Sequence, residues 1–400
     1  MIENTEKELK EYFKKKDLDL RKSKFSRFMD QKVTPDVLCF IADCIVNLPN
    51  NSEFITKDIW KSDYFVKNTK AIFGKPSPTN EKAIREYDKF INQPLRMLYY
   101  SGILESKPKG QGYIYSVKEP ELLEFISIRE RNAYMFLYAY ITKVLSDSRL
   151  LNYFETFKGK CKNKSVKKED LEFLKKKFIL FMKGHTPING DYEIPRIFPK
   201  ILNVYAVENF INGTEKGHLS KDIFYLPDLM YNRQNWRDVK KSKGLTRTEA
   251  EEKMQKTPQR KEFHNYLISK AKDIIRKKYN ESEVRDSFAR GTASHIHHIF
   301  PVADFPQLSD LLENLIKLTA TQHLEKAHPK GKTQIVNKDY QCVCLLAKSE
   351  SVEDSLNKGE FFYSKPQFIY VVNEGLSLSL ENSENFDAIR HKINKAYNQI

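Results

Sequence analysis

SHIHHIFP, residues 294–301, carries three of the nine histidines of the chain within four positions. The β-prone residues around it predict a strand over 293–300. Side chains on a strand alternate between its two faces, so His297 and His298 are expected to point in opposite directions. One of them can therefore bind a metal ion while the other faces a substrate.

The residues that follow predict a loop, a second strand and a helix. Two prolines make 301–310 a loop, NLIKL (314–318) is a short strand, and TATQHLEKAH (319–328) is a helix. If this helix packs against the first strand, His323 lies beside His297. Two neutral imidazoles are a suitable pair of ligands for a divalent metal ion.

His298 is then left for chemistry. Its imidazole, with an unperturbed pKa of about 6.5, suits a general base at neutral pH. Such a base needs a hydrogen-bond acceptor on its other ring nitrogen, which the amide of Asn314 on the adjacent strand could provide or organise. A metal ion, an oriented base and a basic surface together fit the hydrolysis of a phosphodiester.

An excess of basic residues marks the chain as a whole. Lys and Arg number 68 against 53 Asp and Glu, and the net charge of +15 favours nucleic acid or acidic lipid as a partner. The charged first residues and the lack of a long apolar run predict neither a signal peptide nor a membrane span. Five irregularly spaced cysteines predict reduced thiols in a cytoplasm, and Cys342 and Cys344 would share one buried face of a strand.

The length of 400 residues allows two or three domains, and the mixture of helix and strand patterns predicts a multi-domain α+β fold. We expect the domains at 1–125, 126–280 and 281–400.

The first domain is predicted from a series of helices and a hairpin. Residues 34–48 form a buried helix with Thr34 as its N-cap, and 56–65 a second, short helix. Residues 81–104 form a long helix that Pro94 should kink or restart and that Gly102 ends. The glycines and alternating tyrosines of 105–117 predict a hairpin.

This order resembles a winged helix-turn-helix over 34–117, a fold that commonly places its third helix in the DNA major groove. The resemblance implies that polar residues of the long helix contact bases and phosphates, since Arg, Asn and Gln can make bidentate contacts to base edges. The alternative is a plain helical domain in which they form the solvated face. These candidates are Lys82, Arg85, Lys89, Asn92, Gln93 and Arg96.

The middle region is predicted to be mostly helical and basic. Residues 120–180 are helical, and the lysine-rich stretch 158–178 is interpreted as a linker helix or a phosphate-facing surface. Residues 184–201 are expected to be rich in loops. Residues 221–254 mix aromatic with basic side chains, as on a nucleic-acid surface or a domain interface. A charged helix is predicted over 261–279.

The last domain is expected to continue beyond the histidines. Residues 335–400 predict aromatic-rich strands, including EFFYSKPQFIYVV (360–372), and a closing helix. This part would complete the domain or form a dimer surface.

The segment 288–333 resembles the HNH, or ββα-metal, nuclease motif. It contains His-His-Ile-x-Pro, then Asn-Leu-x-x-Leu, then a helical histidine nine positions after Asn314, the separation that the family requires. The resemblance implies that His297 and His323 bind the metal, that His298 is the general base and that Asn314 orients it. It also implies one divalent ion per site, most often Mg²⁺, with Mn²⁺, Ni²⁺ or Zn²⁺ as alternatives.

A third histidine ligand, present in some family members, falls here on Ala327, and the histidine is one position later. Five residues turn an α-helix by about 500°, so His328 would lie roughly 140° around the axis from His323 and face away unless the helix breaks. We therefore expect His328 to contact phosphate or cap the helix. Other possible supporting or phosphate contacts are His295, Lys326, Lys330 and Lys332.

A DNA-reading domain joined to a cutting domain resembles a restriction endonuclease, in particular the type IIS kind, which cuts at a fixed distance from an asymmetric site. Residues 24–38 and 231–238 look similar to enzymes that read purine-rich sites such as GAAGA. The resemblance implies double-stranded DNA as substrate and a cognate methyltransferase in the same bacterial-type cytoplasm. A single site cuts one strand, so we expect at least a transient homodimer on DNA. The alternatives are a homing or mobile-element nuclease, a nickase, or a DNA-binding protein with a non-catalytic metal.

Overall fold

Helices make up 61% of the residues, and the strands form only small antiparallel sheets, which is compatible with an α+β fold. The computed structural model describes residues 2–49, 53–80, 84–110, 112–188, 190–231, 258–328, 336–360 and 362–398. The chain divides into two compact units, Glu6–Gln259 and Arg260–Ile400, the second of which also includes Met1–Thr5. The finer division at 125/126 and 280/281 remains a prediction.

The first half of the first unit combines helices with one small sheet. Its elements are α1 (Ile2–Lys14), α2 (Leu20–Ser23), α3 (Pro35–Val46), β1 (Phe54–Ile55), α4 (Thr56–Lys61), α5 (Asp63–Phe73), α6 (Ile84–Tyr100), β2 (Leu104–Lys109) and β3 (Gly112–Val117). The strands pair in the order β1-β3-β2, with Phe54 opposite Tyr115 and their rings 5.9 Å apart.

Most of the predicted elements of this half are present, with two corrections. Helix α3 begins at Pro35 after Thr34, as predicted. The single helix predicted over 56–65 is two helices, because Ser62 is extended and its hydroxyl caps α5 by accepting from Phe65 N at 3.2 Å. Of the kink or restart predicted at Pro94, the restart is wrong, since α6 runs through this residue. Buried apolar residues on both sides of Pro94 hold the helix together.

The second half of the first unit is a set of helices with one hairpin. Its elements are α7 (Pro120–Ile128), α8 (Glu130–Asp147), α9 (Leu151–Lys162), α10 (Lys168–His185), α11 (Glu193–Asn209), β4 (Asn212–Glu215) and β5 (His218–Ile223). The helical prediction for 120–180 is confirmed. The loop predicted over 184–201 is wrong from Glu193 onward, because a buried apolar face makes α11 continuous despite Pro199. Most of 221–254 lies outside the described residues.

The second unit holds the histidine segment. Its elements are α12 (Pro258–Lys278), β6 (Ala293–His298), β7 (Leu315–Thr319), a π-helix (Gln322–Ala327), α13 (Lys338–Asn357), α14 (Lys365–Leu376) and α15 (Phe386–Tyr397). Strands β6 and β7 are antiparallel, with His297 opposite Ile316 and His298 opposite Leu315. The predicted pair of strands is thus confirmed, with the second beginning one residue later than expected.

The strands predicted over 335–400 are wrong, because the described residues of this region form helices α13 to α15. Phe368, Ile369 and Val372 are buried at helical spacing, which identifies the core-facing side of α14. Cys342 and Cys344 lie on α13 rather than on a strand. Two residues turn a helix by about 200°, so the two cysteines lie on different faces and only Cys344 is fully buried. The prediction that they share one face is therefore also wrong.

None of the helices in the described ranges is long and apolar enough to cross a membrane.

Candidate metal centre and DNA-contact residues

Three histidines converge where β6 meets the π-helix. His297 comes from the strand, His323 from the π-helix and His328 from the residue that ends it. Potential ligand atoms of the three side chains all lie within 4.8 Å of one another. Two nitrogens in tetrahedral coordination of one Zn²⁺ lie about 3.4 Å apart, given Zn–N bonds of about 2.1 Å. The widest pair of the cluster would need to approach by up to about 1.4 Å to bind such an ion.

The position of His328 corrects the expectation that it faces away from His323. The element between them is a π-helix, in which the His328 N–H donates to the His323 carbonyl at 3.0 Å, a bond from residue i+5 to i. The two rings are consequently only 4.9 Å apart. A turn of the π-helix contains more residues than a turn of an α-helix. His323 and His328 therefore lie close together, although on an α-helix the same separation of five residues would place them on different sides.

His297 and His323 are suited to be neutral ligands. His297 is only 3% exposed, and burial, with a smaller effect of the neighbouring imidazoles, lowers its pKa to about 3. Burial likewise lowers the pKa of His323 to about 4. Each ring therefore offers a free lone pair at neutral pH.

Two buried nitrogens of the cluster also fit a metal ion. Within the described residues, His297 Nε2 and His323 Nδ1 have no hydrogen-bond partner. A buried polar atom left in this state costs about 1–3 kcal/mol. Coordination of a cation would offset that cost, so the residues present fit a bound metal ion.

His298 points away from the cluster, as strand alternation predicts. Its Nε2 lies 3.0 Å from the main-chain oxygen of Ser309. A carbonyl oxygen can only accept, so Nε2 carries the proton and Nδ1 holds the lone pair. Burial lowers the pKa of His298 to about 4, which keeps the ring neutral at pH 7, with its Nδ1 lone pair free.

Asn314 acts on His298 through the loop rather than by direct contact. It lies immediately before β7, and its amide nitrogen donates to the carbonyls of Leu308 at 3.1 Å and Phe300 at 3.0 Å. Its oxygen accepts from Phe300 N at 2.9 Å. These bonds hold the loop whose next residue, Ser309, binds His298. Of the two roles predicted for Asn314, the organising one agrees with these contacts.

Helix α12 adds two residues that the sequence did not single out. His264 Nε2 lies 3.2 Å from the Ser309 hydroxyl, which itself donates to the carbonyl of Pro306 at 2.6 Å. Lys272 is a partly buried cation whose charge adds to burial in lowering the pKa of His297 and His298. Both residues precede His297 by more than twenty positions and lie outside the motif, so spacing within the motif gives no signal for them.

The cluster is supported by a buried amide at the start of the π-helix. The oxygen of Gln322 accepts from the Ser282 hydroxyl at 2.6 Å and from Thr319 N at 3.0 Å. Its nitrogen donates to Val284 O and to Asp286 Oδ1, both at 2.9 Å. These four bonds connect the π-helix to β7 and to residues 282–286.

The remaining predicted neighbours of the site differ in their surroundings. The ring of His295 stacks on that of His323 at 4.8 Å, outside the group of three. Lys326 Nζ lies 3.9 Å from the centre of the Phe288 ring. Lys330 and Lys332 lie outside the described residues.

The predicted DNA contacts on α6 fall into three groups. Lys89 is exposed, and the Arg96 guanidinium lies 4.8 Å from the centre of the Tyr113 ring on β3. Asn92 accepts from the Thr56 hydroxyl at 2.8 Å and donates to Asp88 at 2.7 Å, and Gln93 accepts from the main chain of Lys32 at 2.7 Å. These two amides therefore have partners within the fold. Lys82 and the side chain of Arg85 lie outside the described part of the chain.

No protein-family model matches the chain, and comparisons with curated proteins and with solved structures gave no match either.

Proposed function

We propose that the chain is a metal-dependent endonuclease that hydrolyses phosphodiester bonds of double-stranded DNA. The observation that carries the proposal is the convergence of His297, His323 and His328 one residue away from His298, a base with an open Nδ1. Structural zinc sites usually have four protein ligands, whereas catalytic sites have three and keep a position for water or substrate. The three ligands found among the described residues favour the catalytic kind.

The residues of the chain suggest how the reaction proceeds. A bound divalent ion would polarise the phosphate and stabilise the leaving oxygen. His298 Nδ1 would take a proton from the attacking water, while Nε2–H remains bonded to the Ser309 carbonyl. That carbonyl favours the imidazolium as it forms, because its partial negative charge faces the protonated ring. Asn314 contributes by holding the loop that carries Ser309.

The donor set bears on the identity of the ion. Mg²⁺ prefers oxygen ligands, whereas imidazole suits Zn²⁺, Ni²⁺ and other transition metals. Three imidazoles therefore favour a transition metal over the Mg²⁺ that the resemblance implies.

The first unit supports a DNA-reading role. The order α3, β1, α4, α5, α6, β2, β3, with β1 paired to β3, resembles that of a winged helix with one additional short helix. We propose that α6 reads DNA through Lys89 and Arg96. A reader and a nuclease centre in one chain fit a site-specific restriction endonuclease. Its partners would be a second copy on DNA and a cognate methyltransferase. Type IIS cleavage and a bacterial-type cytoplasm belong to the same proposal.

The test compares wild type with His298→Ala on unmethylated phage DNA, in separate reactions with Mg²⁺, Mn²⁺, Ni²⁺ and Zn²⁺. His391→Ala is the matched control, since His391 is exposed on α15 of the same unit. We expect discrete fragments from wild type and the control, and none from His298→Ala, which should still bind metal and DNA. End sequencing then gives the site and the cut offset.

Two outcomes would contradict the proposal. A smear from wild type would indicate a non-specific nuclease and remove the argument for a reader. No cleavage with any of the four ions, together with intact metal binding, would indicate a metal-containing DNA-binding protein.

A further inference from the structure

The positive charge of the chain is concentrated in one helical hairpin. Residues 158–185, which comprise the end of α9, the turn and α10, contain ten lysines against Glu169, Asp170 and Glu172, a net charge of +7 out of +15. By contrast, residues 34–117, the proposed reader, contain eleven basic and nine acidic residues and carry only +2. We call residues 158–185 the lysine hairpin.

Acidic neighbours neutralise fewer than half of these lysines. Four of them form ion pairs, namely Lys158 with Glu155, Lys160 with Asp170, Lys168 with Glu172 and Lys183 with Asp191. Six form no ion pair within the described part of the chain: Lys162, Lys164, Lys167, Lys175, Lys176 and Lys177. The charges of Lys162 and Lys167 act on Glu155 and Asp170 only at longer range. Like charges at this density repel one another, and a polyanion would relieve the repulsion.

The tip of the lysine hairpin presents its charges from a fixed backbone. Lys164 N donates to Cys161 O and Ser165 N donates to Lys160 O, both at 3.0 Å, which closes the end of α9. Lys167 N donates to the Asp170 carboxylate at 2.8 Å, which opens α10. Exposed Lys162, Lys164 and Lys167 therefore project from a turn whose main chain is hydrogen-bonded on both sides.

We propose that the lysine hairpin binds the phosphate backbone of duplex DNA without regard to sequence. The choice of DNA rests on the proposed function. A lysine ammonium is a point charge suited to phosphate, whereas base edges are read mainly by Arg, Asn and Gln. The lysine hairpin contains no Arg or Gln, and its only Asn is Asn163 in the turn. It supplies affinity, and base recognition falls to another part of the chain.

The experiment measures the salt dependence of binding to a labelled duplex of arbitrary sequence by fluorescence anisotropy, with EDTA present so that no cleavage intervenes. The variant carries Lys162→Gln, Lys164→Gln and Lys167→Gln, which remove charge and keep side-chain length. Its control carries Lys7→Gln, Lys14→Gln and Lys15→Gln, which remove three exposed charges from α1 and its end. Circular dichroism melting checks that all three proteins are equally folded.

Each lost phosphate contact lowers the slope of log K against log salt by about 0.9. Compared with wild type, we expect the slope of the hairpin variant to be smaller in magnitude by about 2–3 and its affinity at 0.15 M salt to be up to about 100-fold lower. The control should change the slope by less than about 1.

Equal behaviour of the hairpin variant and wild type would overturn the proposal, as would equal losses in the control. It would also be overturned if the hairpin variant lost binding to anionic vesicles while keeping that to DNA, since the partner would then be a lipid surface. Wild type that binds no duplex at low salt would overturn it together with the DNA substrate, and metal titration of the histidines would still test the metal centre. Loss of cleavage in His298→Ala leaves this binding experiment unaffected, so the two proposals fail separately.

Discussion

Deletion of Glu325 should leave the metal centre able to bind its ion, because the deletion restores an ordinary helical spacing. The side chain of Glu325 is exposed, and no hydrogen bond or ion pair links it to another described residue. Without it, His323 and His328 would be four residues apart, which places them about 40° from alignment on an α-helix, against roughly 140° for five residues. Residues four apart on an α-helix have Cβ atoms about 5–6 Å apart, close to the present ring separation of 4.9 Å.

The expected magnitude follows from this geometry. With all three ligands retained, the dissociation constant for Zn²⁺ should change by less than about tenfold, or about 1.4 kcal/mol. His328→Ala removes a ligand outright, and we expect it to weaken binding by more than the 10–100-fold typical of changes to residues that only support a ligand.

Isothermal titration calorimetry with Zn²⁺, together with the visible spectrum of the Co²⁺ form, measures both variants. A third protein combines the deletion with His328→Ala and should bind as weakly as His328→Ala alone. If deletion of Glu325 by itself abolishes metal binding while the thermal unfolding of the apo protein is unchanged, the π-helix is essential to the site and the reasoning is refuted.

Three further changes test other parts of the fold. Gly375→Ala should lower the free energy of unfolding in urea by about 1–3 kcal/mol, because its Cβ would overlap the Phe300 ring. Gly184→Ala on α10 introduces a Cβ with nothing within 4 Å and should be neutral or stabilising. Equal urea midpoints for the two variants would contradict this expectation. Asn314→Ala should abolish most cleavage and change the affinity for Zn²⁺ by less than about tenfold, because it loosens the loop that orients His298 and leaves the metal ligands in place. A large loss of metal affinity would refute this. Burial opposes ionisation of Glu86, but hydrogen bonds from Lys32, Lys75 and Tyr231 prevail and lower its pKa to about 2. A carboxylate whose pKa is lower in the folded than in the unfolded state stabilises the fold above the unfolded-state pKa, near 4.5, and this stabilisation is lost as the pH falls toward 2. Between pH 5 and pH 3, the urea midpoint of Glu86→Gln should therefore fall less than that of wild type.

Local pattern was enough to predict the framework of the candidate site. The alternation of His297 and His298 follows from strand geometry alone, and the spacing from Asn314 to His323 falls within one contiguous segment. Pro35 likewise predicted the start of α3, because its fixed φ suits the first helical position, whereas the side chain of Thr34 makes no capping bond.

Features that depend on distant contacts could not be predicted in this way. The aromatic run of 360–372 has high β-propensity, but burial of one helical face of α14 determines its structure. The π-helix follows from bonds such as those of Gln322 to residues 282–286, which lie more than thirty positions earlier. A larger distance in sequence, 45 positions, separates His264 from Ser309.

The contact that orients His298 has a consequence for saturation mutagenesis. The acceptor is the main-chain oxygen of Ser309, which every amino acid possesses, so replacing the Ser309 side chain leaves that oxygen on the chain. The side chain of Asn314 holds this carbonyl's loop by donating to Leu308, and the buried Ser309 hydroxyl adds a bond to Pro306. In a mutational scan, the sensitivity of the orienting contact is therefore expected at Asn314, five positions away, as well as at Ser309 itself.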